Sequence, residues 1–384
     1  MSLDQGTLQQ LLDTVRRFVR ERLVPLEAQV AEDDLIPEDV IQEMREMGLF
    51  GLSIPEEFGG LGLTMSEEVL VAQEIGYTSP AFRSVFATNV GIGSQGIIID
   101  GTEEQKAQYL PKMASGELIG SFALTEPDVG SDAAAVRTSA VRDSDDYIIS
   151  GTKRFITNAP RAGVFTLMAR TGTREEGARG ISAFLVDATL DGITLGKPDK
   201  KMGQSGSLTC DVILDNVRVP ADALIGGKEG RGFKTAMKVL NRGRLHISAV
   251  SVGAALRLID ESLRYATERK QFGTEICNFQ LIQAMLADSR TEYYAGKCMV
   301  EDAARRHGLG EPIITEASCC KLFCTEMVGR VADRAVQIHG GSGYVSEYCV
   351  ERFYRDVRLF RLYEGTTQIQ QIVIAKNMIA ETRR

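Results

Sequence analysis

Two short stretches hold residue types that can do chemistry. In RLYEGTTQIQQ (361–371) a single carboxylate, Glu364, stands just before Gly365 and the capping residue Thr366, at the entrance to the last helix of the chain. A carboxylate there can take a proton as a general base, or it can simply complement the positive end of the helix dipole; spacing alone leaves both open. In FALTEPDVGSD (122–132) a strand leads into a loop where Thr125, Gly130 and Ser131 offer hydroxyl and amide donors without bulk. Such a loop suits the polar edge of a ring or a phosphate, and an ordinary β-turn gives the same pattern.

Other chemistries are harder to build. Gly91-Ile92-Gly93-Ser94-Gln95-Gly96 is a literal G-x-G-x-x-G, but it sits among helical patterns with no strand before it, so it reads as small residues at a helix contact rather than a dinucleotide fingerprint. There is no P-loop and no G-x-S-x-G elbow. The three histidines, His246, His307 and His339, lie far apart without acids or cysteines at ligand spacing, so no metal site is expected. The reactive group must then come from a bound cofactor.

The elements that must position these residues follow an α, β, α order. Leu8, Leu11, Leu12, Val15 and Val19 recur at helical spacing behind Thr7 and Gln10, which predict a capping box and a first helix opening there. Helical patterns run to about residue 118, broken by the fixed loop PEEFGGLGL (55–63). From Gly120 to Val219 short apolar runs alternate with turn clusters, and Leu208, Cys210, Val212 and Leu214 keep period two. After the glycines of IGGKEGRG (225–232), Val252, Leu256, Ile259, Leu263 and Ala266 restore the helical period, which persists to Ile369, Ile372 and Val373. The expected division is a helical domain (1–118), a β domain (119–230) and a helical bundle (231–384).

Composition narrows the function. A chain of 384 residues suggests roughly two to three domains. With 44 basic and 52 acidic side chains the net charge is −8, which argues against nucleic acid as a partner. Seven scattered cysteines without a C-x-x-C pair fit reduced thiols, with Cys319, Cys320 and Cys324 on a buried helix face. No run approaches the about 18 apolar residues of a membrane span, so no membrane insertion is expected. The start MSLDQGTLQQ lacks secretory and transit patterns. A cytoplasmic protein is expected, or a mature form, as in the mitochondrial matrix, whose leader is gone.

Seven blocks in order make the chain resemble the acyl-CoA dehydrogenases: EEFGGLGL (56–63), FALTEPDVGSD (122–132), KRFITNA (153–159), NRGR (241–244), ERKQFG with NFQ (268–280), QIHGGSGY (337–344) and YEGTTQIQ (363–370). The resemblance implies an α+β fold with an N-terminal helical domain, a β-barrel-like middle domain and a C-terminal four-helix bundle. It implies FAD as cofactor, with Phe122, Thr125, Gly130 and Ser131 against the isoalloxazine and ribityl region and Ser131 also facing substrate. Phe155 and Thr157 would pack on and bond the flavin; the family often has tryptophan where Phe155 stands, and this chain has no Trp. Arg269, Gln280, Gln337, Gly340, Gly341, Thr366 and Gln368 would hold the pyrophosphate and adenosine half, partly across a subunit boundary, which implies a homotetramer.

By the same resemblance Glu364 takes the α-proton of an acyl-CoA thioester while the β-hydrogen leaves as hydride to flavin N5, giving a trans-2-enoyl-CoA. Another branch carries its base at the position of Gly243, and glycine cannot accept a proton. The thioester carbonyl would be held by the ribityl hydroxyl and the Glu364 N–H, with Asn241, Arg244 and Gly365 beside the substrate. Arg244 could instead sit in a structural salt bridge. The expected electron acceptor is an electron-transferring flavoprotein. The alternatives are an oxidase that returns electrons to oxygen, or a non-catalytic, flavin-bearing nucleic-acid-binding relative, which the negative charge disfavours. Acyl chain length stays open.

Overall fold

The computed structural model describes residues 2–383. Seven helices come first: α1 (Gln5–Arg17), α2 (Val24–Asp33), α3 (Glu38–Glu46), α4 (Met65–Gly76), α5 (Pro80–Thr88), α6 (Gln95–Asp100) and α7 (Glu103–Ser115). The first opens earlier than its sequence predicts. Asp4, not Thr7, is the cap: its carboxylate accepts from the N–H groups of Gly6 and Thr7, and the Thr7 hydroxyl also bonds it at 2.5 Å. Both residues can cap, and an ionised acid facing the helix's positive end is the stronger choice. The apolar faces of these helices meet in a core that includes Val15, Leu23, Val40, Phe50, Phe82 and Phe86.

Seven strands form a curled sheet: β1 (Gly120–Ala123), β2 (Ser139–Asp143), β3 (Asp146–Thr157), β4 (Val164–Arg170), β5 (Ile181–Asp187), β6 (Ile193–Leu195) and β7 (Thr209–Pro220). The order is β1-β4-β2-β3-β7-β6, and β5 also pairs β4. The period-two reading holds in β7, where Cys210, Val212 and Leu214 are buried while Ile213 between them is 40% exposed. That alternation fits a sheet with one face on a core.

The remainder is helical: α8 (Gly232–Glu268), α9 (Gln280–Gly308), α10 (Ile314–His339), α11 (Cys349–Val357) and α12 (Thr367–Glu381). α8, α9, α10 and α12 make the bundle, α10 touching each of the others. Between α8 and α9 lies a hairpin not expected from the sequence, β8 (Lys270–Gln271) with β9 (Thr274–Glu275). The glycine run in 91–96 has the packing role expected of it: a Cβ on Gly93 would stand 2.8 Å from the Gly120 carbonyl oxygen, so the helix presses directly on β1. All seven cysteines are free; Cys320 and Cys324 are buried and Cys319 is half-buried.

A buried ionic joint ties the two helical regions together. Glu27 on α2 receives Arg352 of α11 at 2.7 Å and Arg257 of α8 at 3.4 Å, together with the Thr78 hydroxyl and the Ser79 N–H. With all these donors in place its desolvation is compensated.

Candidate active site

The helices and the sheet converge on a cavity of about 370 Å³. Its wall takes Ala87 and Gly91 from α5 and the turn after it, Phe122 and Thr125 from the end of β1, Phe155 and Thr157 from β3, Met237, Leu240 and Gly243 from α8, and Tyr363 to Gly365 from the approach to α12. The volume lies in the range of small-molecule sites.

Glu364 is aimed into this cavity by a turn that other residues hold. Its own φ is 55° and that of Gly365 is 89°, so two successive residues lie in the left-handed region. Lys321 Nζ donates to the Gly365 carbonyl at 2.7 Å, and Gln370 Nε2 donates to the carbonyls of Glu364 (3.2 Å) and Gly365 (3.0 Å). Thr366 caps α12, its hydroxyl accepting from the Ile369 N–H. Glycine at 365 is demanded by φ and by Gln370, whose Nε2 would be 2.6 Å from a Cβ there.

The carboxylate occupies space that α8 leaves empty. A Cβ on Gly243 would stand 2.3 Å from Glu364 Oε2. That oxygen is shut off from solvent and has no hydrogen-bond partner. Burial pushes the Glu364 carboxyl above its ordinary value, against the opposing charges of Arg83, Lys321 and Arg244. The Glu364 backbone N–H makes no hydrogen bond among the described residues. A proton acceptor and a free amide donor thus share one residue.

The opposite wall is the loop 122–132, organised from beneath by a pair that the sequence reading missed. Lys153, fully buried in β3, donates to Glu126 at 2.8 Å and to the Leu124 carbonyl at 3.2 Å. Glu126 also accepts from the Arg137 and Thr138 N–H groups and the Thr138 hydroxyl. Burial pulls the Lys153 ammonium down to about 8. It works to raise Glu126, but Lys153 and the Thr138 donors outweigh it and hold that carboxyl below its ordinary value. Above this pair Gly130 and Ser131 are exposed, with nothing within 4 Å of a Cβ at Gly130.

Next to that loop, β3 slips register between Lys153 and Ile156, so two residues oppose Asp211 alone. This bulge puts Phe155 at φ 58° and turns its ring outward, 61% exposed, with the Arg154 guanidinium 4.4 Å from its centroid. Thr157 lies half-buried at the strand end. Asn158 then bonds the Ser84 and Val85 carbonyls and locks the strand to α5. An exposed aromatic ring, a bare glycine and free hydroxyls around one cleft fit a large planar ring system carrying polar edges.

The other expected residues divide by place. Arg244 is buried on the cavity wall; Nη1 donates to Asn241 Oδ1 at 2.8 Å, and no ion pair forms among the described residues, so the salt-bridge alternative is not what the geometry shows. Burial lowers its guanidinium pKa while Glu364 works to raise it. Gln368 is exposed on α12 outside the cavity. Arg269, Gln280, Gln337, Gly340 and Gly341 are exposed and gather at the far end of the bundle, around a small cluster of Ala266, Ile276 and Ile338. Phe272 (95% exposed) and Leu281 (81%) stand beside them. Arg83 lines the cavity and Lys321 holds the Glu364 turn, and periodicity could reveal neither, since each is a cation inside a helix pattern.

Comparison with known proteins agrees with this arrangement. Family models described as acyl-CoA dehydrogenase N-terminal, middle and C-terminal domains match residues 6–117, 121–217 and 230–379. Acryloyl-CoA reductase (NADH) of Anaerotignum propionicum is 41% identical over 366 residues, 95% of this chain and 92% of that protein. The caffeyl-CoA reductase-Etf complex subunit CarC of Acetobacterium woodii is 40% identical over 347 residues, 90% and 91% of the two chains. The solved butyryl-CoA dehydrogenase of Megasphaera elsdenii superposes with a TM-score of 0.94 at 32% identity, covering 99% of both chains. With its three regions matched in order and its cavity built from the same blocks, the chain belongs to the acyl-CoA dehydrogenase family, FAD-dependent oxidoreductases acting on CH–CH groups.

Proposed function

We propose that the protein desaturates an acyl-CoA thioester between Cα and Cβ, with Glu364 as the base that takes the α-proton. The observation that carries this is the Glu364 carboxylate itself: aimed into the cavity, one oxygen unbonded and dry, in the space above Gly243. The free Glu364 N–H is placed to donate to the thioester carbonyl oxygen, where enolate charge develops. Desolvation raises the basicity of the carboxylate and narrows its gap to a weakly acidic α-carbon.

Phe122, Thr125, Gly130, Ser131, Phe155 and Thr157 would hold the isoalloxazine end of FAD, with Ser131, Asn241, Arg244 and Gly365 next to the substrate. Bound FAD supplies the two-electron acceptor for the β-hydride. Arg269, Gln280, Gln337, Gly340 and Gly341 lie too far along the bundle to line the same cavity, and they are exposed; together with Thr366 and Gln368 they suit the adenosine half of a cofactor shared with a neighbouring copy. That arrangement supports a homotetramer divided within each chain at 1–118, 119–230 and 231–384. An electron-transferring flavoprotein is the proposed acceptor, in line with the Etf complex to which the Acetobacterium relative belongs.

The same groups would serve the reverse reaction, which the reductases among the relatives favour: a protonated Glu364 would return the α-proton to a 2-enoyl-CoA. In either direction Glu364→Gln abolishes turnover, by about 10³-fold or more, in a protein that stays folded and yellow. Dye-coupled assays with an acyl-CoA series check it; substantial turnover by the variant removes Glu364 from the role.

A further inference from the structure

A buried cation stands behind the Glu364 turn and takes no part in the cavity wall. Lys321 of α10 is 0% exposed, forms no ion pair among the described residues, and its ammonium makes one hydrogen bond, to the Gly365 carbonyl at 2.7 Å. That carbonyl does not need it to be satisfied. Gln370 Nε2 already donates there at 3.0 Å, and to the Glu364 carbonyl at 3.2 Å. Gln370 is itself 0% exposed, and its Oε1 is sealed from solvent without a partner, so the donors have been gathered at the turn at the expense of other bonds. Further along α10, Glu326 takes Arg361 at 3.2 Å and the Thr367 hydroxyl at 2.7 Å. One helix therefore grips the chain before the turn, at its apex and after it.

Burying an ammonium for a second bond to a carbonyl that already has one is a poor way to stabilise a fold. Burial pulls this lysine down to about 8, with the charges of Glu364 and Glu326 opposing the fall and Arg244 adding to it. The turn it grips is itself uphill, with Glu364 and Gly365 in succession in the left-handed region. Released, such a turn would relax, and the Glu364 carboxylate and free N–H would swing away from the cavity together. A reacting group set about 1 Å off its line costs about 10²-fold in rate, so the grip matters to the chemistry. We propose that Lys321 and Gln370 are positioning residues for proton transfer: by drawing the Glu364 and Gly365 carbonyls back toward α10 and α12, they keep the Glu364 carboxylate and N–H facing the cavity. This rests on the reading of Glu364 as the base. The charged donor makes the shorter of the bonds, as a charge-assisted bond should, and leads the pair.

The test reads proton abstraction by itself. A 3-thiaacyl-CoA carries sulfur where the β-carbon would be, so no β-hydride can leave, and exchange of its α-protons in deuterated water, followed by proton NMR, reports the base and the carbonyl donor without oxidation. Wild-type holoenzyme is compared with Lys321→Met and Gln370→Met. Each variant should exchange about 30-fold more slowly or worse, while its dissociation constant for the same thioester stays within about twofold of wild type and its flavin content is unchanged. Lys321→Met should also melt no lower than wild type, because an apolar side chain of similar length replaces a buried charge. Exchange by Lys321→Met within about threefold of wild type overturns the proposal. A Lys321→Met chain that unfolds, melts lower or loses thioester affinity in step with exchange makes the lysine a structural prop and overturns it as well; Gln370→Met, which leaves the buried charge in place, then shows whether the turn needs a grip at all. Either result leaves the dehydrogenase reading standing, provided wild type exchanges and oxidises. Wild-type protein that neither exchanges the α-protons nor oxidises any acyl-CoA removes both.

Discussion

At the scale of single residues, the electrostatics of Glu364 have a measurable signature. Its pKa in the folded protein lies above the ordinary 4.5 because burial disfavours the charge. Between the two values the native state holds more protons than the unfolded chain, so stability falls as pH rises through that window and levels off above the folded pKa. Glu364→Gln lacks this loss. Thermal melts from pH 4 to 8 should show the variant matching wild type at the acid end and exceeding it at neutral pH; a constant difference would mean that the carboxyl is not perturbed. That an acid, Glu364, stands before a glycine and a cap was legible in the sequence as a local pattern, whereas its part as a base came only through the family resemblance. The vacancy above Gly243 and the free Glu364 amide were not legible, since both depend on how α8 lies against the turn. Arg83 and Lys321 were hidden for the same reason: a helix pattern records that a position is occupied by a cation, and only packing decides whether that cation meets water, a carbonyl or a cavity.

At the scale of elements, the strand β3 and the loop 122–132 depend on one buried ion pair. Lys153 and Glu126 are 0% and 5% exposed; Lys153 holds the loop's Leu124 carbonyl, and Glu126, itself in the loop, accepts from the Arg137 and Thr138 N–H groups beyond it. Lys153→Met leaves the Glu126 carboxylate buried with fewer donors, which should cost about 3–5 kcal/mol. Urea unfolding of the variant checks the loss, and absorbance after gel filtration should show weaker FAD retention, since the loop no longer has a fixed floor. Stability within about 1 kcal/mol of wild type would mean that the pair is dispensable. The alternation of β7 and the periods of α8 and α10 were readable because each faces a core along its whole length. The start of α1 was misplaced by three residues because Asp4 and Thr7 can both cap, and the hairpin of β8 and β9 was overlooked because two-residue strands leave no periodicity to detect.

At the scale of the molecule, the α, β, α order was visible in the sequence, whereas the way the parts share a cavity was not. One group of expected cofactor residues lines that cavity and another lies at the far end of the bundle beside Phe272 and Leu281, large apolar side chains left almost wholly in water. Exposed apolar patches mark interaction sites, and the proposed cofactor site shared between copies would put another copy here. Leu281→Asp should therefore leave the single chain folded, as the side chain is 81% exposed, while lowering the assembly mass in sedimentation and the bound FAD per chain. An unchanged mass and full flavin content would argue that the adenosine half is held within one chain.

Phe155 and Glu364, on opposite walls, share a backbone twist that few bulky residues adopt, each uphill by about 1–2 kcal/mol. Two side chains of the proposed site are therefore aimed by tension. A lineage selected for heat resistance alone would relax these two points first, to glycine or asparagine, and would arrive at a sturdier protein that had forgotten its reaction.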